Sequence, residues 1–245
     1  MNAFLFPCIF PQPQITCCAI EHVPAALNGL RALFVSDVHL RGCVSDAKLN
    51  ALIEQIRAQN ADLLLLGGDY GEGAGQCARF FEALSALCFP LGAFAVPGNN
   101  DDPAVLTEAA QKAGIRLPVN KTAALEIGGV RIEIGGCDDY KYGTPDTRHL
   151  FSDAAAYRIL LSHFPILPAQ KCDLIFSGHT HGGQIRLGGL TAYALPFEKK
   201  FEIAAAYGDN VIDGTRLLIS NGIGVSKLPI RIGAAPEILL AEFSR

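Results

Sequence analysis

Seven side chains of types that bind divalent cations recur along the 245-residue chain: Asp37 and His39 in SDVHL, Asp69 in GGDY, Asn99 in PGNNDD, His163 in LSHFP, and His179 and His181 in SGHTHGGQI. Four of the six histidines are thereby used; His22 and His149 fall outside the set and read as surface or turn residues. A mixture of carboxylate, imidazole and amide donors suits Mn²⁺, Fe or Zn²⁺ and is unlike a soft, all-thiolate site. Each motif has a plainer reading when taken alone. SDVHL can be a surface Asp-His pair, GGDY and PGNNDD are good turn compositions, and His163 can be a satisfied core histidine. The His-x-His pair, read as an extended segment, points both imidazoles to one side and Thr180 to the other. Its flanking glycines leave room for the backbone to turn and for a ligand to approach. What the plain readings leave unexplained is the order of the motifs and their position.

That position follows from the elements. LRALFVSD is a short apolar run, read as a buried strand ending at Asp37. Ser45 to Gln59 has helical spacing, with Leu49, Leu52, Ile53 and Ile56 on one face and Ser45 as a cap. ADLLLLGGD is a second buried strand, Gln76 to Cys88 a second helix, GAFAVPGNND a third strand, and Asp102 to Ala113 a third helix with Pro103 in its first turn. Strand and helix alternating at this rhythm imply right-handed crossovers and a largely parallel sheet. TAALEIGGVRIEIGG then reads as a hairpin about a Gly-Gly turn, and further strands follow at YRILLSH, CDLIFSGH, TRLLISNG and EILLAEF. The seven residues therefore fall at the ends of five strands. In open α/β sheets the functional crevice lies outside the carboxyl ends of the strands.

Composition narrows the class. Half the residues are hydrophobic and 18% are charged, which supports a substantial core. The net charge of −4 argues against a broad nucleic-acid-binding surface. An acidic chain still binds phosphate where metal ions supply the positive charge. The eight cysteines include no CxxC pair, and mostly sit in apolar runs, so they are expected to be free thiols in a reducing, cytoplasmic compartment. The opening MNAFLFPCIFPQPQ is apolar but short and proline-rich, unlike a signal peptide or a span. It is expected to be an edge segment over the core, with peripheral contact to the inner membrane face as the alternative.

The ordered set D-x-H, G-G-D, G-N-x-D, S-H and G-H-T-H resembles the calcineurin-like metallophosphoesterase superfamily over nearly the whole chain from Asp37 onward. SGHTHGGQI and the later SNGIG and LPIRIGAAPEI are similar to the bacterial branch with YkuE-type and YaeI-type phosphodiesterases and UDP-2,3-diacylglucosamine pyrophosphatase-like members. The resemblance implies an α/β fold, a four-layer α-β-β-α sandwich of two mixed sheets. It also implies one catalytic domain over 1–245, with 1–30 an N-terminal edge segment and 31–245 the catalytic core.

Carried over by position, it implies two divalent metal ions, Mn²⁺ foremost, with Fe or Zn²⁺ as alternatives. Asp37, His39 and His181 would hold the first ion; Asn99, His163 and His179 would hold the second; Asp69 would bridge both. A pair of metals clamps phosphoryl oxygens and activates a water near neutral pH. The sequence departs from the family at Asn100, where the usual motif has a histidine that assists the leaving group. Arg41 and the loop 71–75 are either phosphate contacts or a solvated side chain and a plain loop. The implied activity is hydrolysis of a phosphodiester or pyrophosphate bond in a phosphorylated small molecule, nucleotide-linked or lipid-linked. The alternatives are a phosphomonoesterase or phosphoprotein phosphatase, and a non-catalytic scaffold, which a filled ligand set disfavours.

Overall fold

A computed structural model describes residues 10–187, 190–191, 203–226 and 228–245. The first nine residues of the expected edge segment lie outside them. Two mixed sheets pack face to face. The first has the order β1 (Gln14–Ile20), β11 (Glu237–Phe243), β2 (Arg31–Val35), β3 (Leu63–Leu66), β4 (Gly92–Ala95). The second runs β5 (Lys121–Ile127), β6 (Val130–Gly136), β7 (Tyr157–Leu161), β8 (Leu174–Ser177), β10 (Thr215–Ile219), β9 (Gly208–Ile212). In the first sheet β2, β3 and β4 are parallel and β11 runs against β2; in the second, β6, β7, β8 and β10 are parallel.

Side-chain alternation sets the layers. In β2, Leu33 and Val35 face the helices α1 (Asp46–Arg57), α2 (Ala74–Leu84) and α3 (Pro103–Lys112), whereas Ala32 and Phe34 face the other sheet. Leu63 and Leu65 of the all-leucine β3 join that inter-sheet core, with Ile159, Leu161, Leu174 and Phe176 opposite. Phe34 and Phe176 meet across it with ring centroids 5.3 Å apart. On the far face of the second sheet, Leu160, Ile175, Leu217 and Ile219 pack with Leu150, Phe151, Phe164 and Ile166, which come from connecting segments. Among the described residues the three α-helices all cover the first sheet.

Two helix starts follow their caps: the Ser45 hydroxyl accepts from Lys48 N, and the Asp102 carboxylate accepts from Ala104 N and Val105 N. The Gly128-Gly129 turn joins β5 and β6, both glycines having positive φ as a two-residue hairpin demands. α2 starts at Ala74, earlier than its periodicity suggests, and stops before Ser85, whose hydroxyl donates to Glu82 O. β1 pairs in parallel with β11 at the sheet's edge. No helix among the described residues is long and apolar enough to cross a membrane.

One expectation is corrected. Cys43 is disulfide-bonded, while Cys17, Cys18, Cys77, Cys88, Cys137 and Cys172 are free. A bridge need not follow a local spacing, so the absence of CxxC pairs did not exclude it.

Candidate metal centre

The parallel strands of both sheets deliver their carboxyl ends to one edge of the sandwich. Asp37 and His39 follow β2, Asp69 follows β3, Asn99 and Asn100 follow β4, His163 follows β7, and His179 and His181 follow β8. The structure brings the carboxylates and imidazoles together. His39 Nε2 lies 3.4 Å from Asp69 Oδ2 and 3.2 Å from His181 Nε2, and His181 Nε2 is 3.4 Å from Asp37 Oδ1. His163 Nε2 is 3.5 Å from the same Asp69 oxygen and 3.3 Å from His179 Nδ1. Two three-residue groups are compact enough to hold one ion each: Asp37, His39, His181, and Asp37, Asp69, His163. Asn99 contributes the sharpest sign, because its side-chain Oδ1 is buried with no hydrogen-bond partner. Buried acceptors are rarely left so, and an amide oxygen on the segment between Gly98 and Asn100, which both touch Asp69, fits a hard or borderline cation.

The local backbone is bent to achieve this. Asp37, His39, Asp69, His179 and His181 all have positive φ, between 43° and 68°. Such conformations are unfavourable for residues with a Cβ and gather where function demands them. The His-x-His reading is corrected here. β8 ends at Ser177, and Thr180 is helical between two left-handed histidines, so the segment is a tight turn and not extended. Its two rings therefore diverge: His179 goes to His163 and stacks on Phe164 at 3.7 Å, while His181 goes to His39. The Thr180 hydroxyl caps the turn by accepting from Gly182 N. Glycine is required at Gly178, where a Cβ would run into Asp37 Oδ2, and at Gly98, where it would run into Asp69 Oδ1.

A second set of groups holds the first in place. The Nδ1–H of His39 donates to Glu72 at 2.9 Å and that of His163 to Gly67 O at 2.7 Å, leaving each Nε2 turned inward. Ser36 Oγ donates to Asp37 at 2.6 Å, and His179 N donates to the same carboxylate. Asn100 binds both oxygens of Asp69, through its backbone N at 2.8 Å and its side-chain amide at 2.6 Å. Asp101 accepts from the backbone N of Asp69, Tyr70 and Gly98, lacing the β3 and β4 loops together. Arg231 faces His181 Nδ1 at 3.1 Å and donates to the carbonyls of Gly224 and Ala234. Glu72, Asp101 as a lacing residue, and Arg231 were not singled out from sequence. Arg231 lies within LPIRIGAAPEI, the one signal that pointed near it.

The electrostatics are those of a cluster needing positive charge. Burial pushes the Asp37 carboxyl up. Burial also opposes charge on Asp69, yet the His163 and His39 rings hold it well below the usual carboxylate range. Burial disfavours a charged His163, but Asp69 and Asp37 outweigh it and raise the ring to about 10. Burial and the charge of His163 drop His179 to about 3, and burial with His39 and Arg231 keeps His181 well below its ordinary value. Those last two rings are neutral, the form that donates a lone pair to a metal. His22 and His149 are exposed and outside the cluster. Arg41 donates to Val225 O at 3.3 Å, and within 71–75 it is Glu72 that reaches the centre.

The two sheets thus deliver buried acids and histidines to one edge, where groups of them could hold divalent ions. The family model for calcineurin-like phosphoesterases matches residues 30–183, and the chain belongs to that family. It is therefore a hydrolase acting on phosphoric ester bonds, in a family that uses divalent metals. It is 32% identical over 219 residues to YpbG of Bacillus subtilis (strain 168), covering 85% of this chain and 78% of that protein. It is 29% identical to YkuE, a metallophosphoesterase of the same organism, over 88% of this chain and 79% of the relative. With phosphodiesterase YaeI of Escherichia coli (strain K12) it shares 29% identity, over 86% and 81%.

Proposed function

We propose that the protein hydrolyses a phosphodiester or phosphoanhydride bond at a dinuclear centre, with Asp37, His39 and His181 holding one divalent ion, Asn99, His163 and His179 the other, and Asp69 shared. The observation that carries this reading is the buried, unpartnered Asn99 Oδ1, on the segment whose neighbours Gly98 and Asn100 both touch Asp69 of a cluster in which imidazole nitrogens converge on two carboxylates. Mn²⁺ is the leading ion, with Fe and Zn²⁺ compatible with the same donors. When bound, such a pair supplies Lewis acidity, clamping phosphoryl oxygens and activating a water.

The chain's own residues do the positioning. Glu72 and the Gly67 carbonyl fix which nitrogen of His39 and His163 faces inward. Asn100 and Asp101 fix Asp69 and its backbone. Asn100 is a neutral donor and cannot hand a proton to a departing oxygen. That favours leaving groups stable as anions, such as the phosphate of a pyrophosphate or an aryl oxide. The substrate class is accordingly a phosphorylated small molecule or a nucleotide-linked or lipid-linked pyrophosphate. The phosphodiesterase name of the YaeI relative supports the diester reading.

The test is hydrolysis of bis(p-nitrophenyl) phosphate, p-nitrophenyl phosphate and a nucleoside diphosphate sugar, with Mn²⁺ added and after chelation. Diester or anhydride turnover above monoester turnover, abolished by the chelator, is expected. Full activity of metal-stripped protein in chelator, or preference for the monoester, overturns it.

A further inference from the structure

β6 sends no ligand to the centre, yet its carboxyl end opens on the same edge, because it runs parallel to β7. Cys137 N donates to Leu161 O at 2.9 Å, and Gly136 abuts Val96 past the end of β4, so the segment that follows starts between the β4 and β7 ends. Its backbone is held from inside. The Asn120 side chain accepts from Asp138 N and Asp146 N and donates to Thr144 O. Asp138 accepts from Asp139 N and Thr144 N, and the buried Asp139 accepts from Lys141 N and Tyr142 N. Gly143 completes the loop, since a Cβ there would strike the Asp138 carboxylate. None of these bonds uses the side chains of Tyr140, Lys141 or Tyr142, which are exposed, the two tyrosines at 44% and 73%.

Those three side chains lie beside the centre. The Tyr140 ring centroid is 6.1 Å from that of Phe164, and Phe164 stacks on His179 at 3.7 Å, so one ring separates Tyr140 from a candidate ligand. Lys141 is near enough for its charge to be felt at His179. Its ammonium lies 4.9 Å from the Tyr142 ring centroid, and no acid pairs with it among the described residues. Two phenol faces and a cation, next to a centre that handles phosphoryl groups, match a ligand with a flat π system and more than one phosphate. A nucleoside diphosphate has both, joined by a ribose that spans the gap. A lipid chain has no π face to offer the rings, and a sugar monophosphate has no second anion for the lysine. We propose that the β6 loop is the base-binding rim of the site, Tyr140 and Tyr142 receiving the nucleobase of a nucleotide-linked substrate and Lys141 its non-reacting phosphate. The inference rests on the diester or anhydride reading for where the reacting phosphate sits. Every base has a π face, so stacking selects for a base without choosing which one.

The experiment is calorimetric titration of the Mn²⁺-loaded full chain with AMP, ribose 5-phosphate and α,β-methylene ADP. AMP should bind about tenfold more tightly than ribose 5-phosphate, the effect of one stacked base. The double variant Tyr140→Leu/Tyr142→Leu should lose that advantage, with its circular dichroism unchanged and its affinity for ribose 5-phosphate within about twofold of the parent's. Tyr140→Phe/Tyr142→Phe keeps the rings and should bind AMP as the parent does. Lys141→Gln should remove the preference for the methylene diphosphate over AMP, about fivefold for one exposed charge pair. Equal affinity of the parent for AMP and ribose 5-phosphate, binding of neither, or parent-like AMP binding by the leucine variant overturns the proposal. No turnover is read, so the two readings fail separately. Anhydride hydrolysis without a base preference removes only the rim, and a monoester preference in hydrolysis with the base preference intact removes only the diester or anhydride reading.

Discussion

Asp69 and Asn100 act as a pair at the residue scale. One oxygen of Asp69 lies within 3.4–3.5 Å of two imidazoles from different strands, and Asn100 grips both its oxygens from behind. Asp69→Asn keeps the shape and removes the charge that two cations would share. We expect metal content well below the parent's in elemental analysis, and kcat reduced by more than the about 10–100-fold typical of losing an outer-shell partner. Parent-like metal content and rate would show that Asp69 is not a shared ligand. Asn100 bears on the leaving group. A placed general acid contributes about 10²–10⁴-fold, chiefly when the leaving group is a basic alkoxide. The parent should therefore strongly prefer aryl diesters and anhydrides to alkyl esters. Asn100→His should narrow that gap by raising the alkyl rate, the ring giving up the amide's bond to Asp69. Comparable alkyl and aryl rates in the parent, falling in His149→Ala, would place the proton donor at His149 instead.

The elements that set these residues in place differ in how plainly the sequence announced them. Apolar runs ending in polar clusters marked β2, β3, β4, β7, β8, β10 and β11, because strands buried on both faces carry nearly continuous Leu, Ile and Phe. Ser45 as a cap and Pro103 in a first turn announced two helix starts, and the structure adds Asp102 as the cap of the second. β9 went unread although Asp213-Gly214, both at positive φ, is a hairpin signal. Glu72, Asp101 and Arg231 were not read as parts of the site, since the groups they hold there, His39, Asp69 and His181, lie 32 or more residues away in the chain. The seven candidate ligands were legible as types and order, while the left-handed turns that aim them were not. Gly98 shows how closely two of these turns approach. A Cβ there would strike Asp69 Oδ1 and the Asp69 backbone, so Gly98→Ala must move the β3 loop, the β4 loop or both. We expect about 1–3 kcal/mol lost in urea unfolding, as for other overpacked sites, together with a sharp fall in turnover. Ser45→Ala is the contrast: loss of its cap costs about 1 kcal/mol, with turnover unchanged. Equal activity of the two variants would mean the loop contact does not position Asp69.

At the scale of the whole molecule, the site exists only because two sheets are held in register. The first supplies Asp37, His39, Asp69 and Asn99; the second supplies His163, His179 and His181. The inter-sheet core is thus the ruler for the distance between the two halves of the centre. Phe34 and Phe176 touch at its middle, and each leads into the site: Phe34 lies beneath Gly67, whose carbonyl fixes His163, and Phe176 precedes the turn bearing His179 and His181. Its neighbour Ile175 is equally buried but faces the outer layer of the second sheet. This separates stability from site geometry. Phe176→Ala should cost about 3–5 kcal/mol and Ile175→Ala about 2–5 kcal/mol, so both lower the urea midpoint. Only Phe176→Ala lets the two sheets shift against each other. At a temperature where both variants are fully folded, Ile175→Ala should retain near-parent kcat/KM and metal content, whereas Phe176→Ala should lose metal and at least tenfold in kcat/KM. If both variants keep parent metal content and rate once folded, or lose them equally, the inter-sheet contact does not set the spacing of the centre.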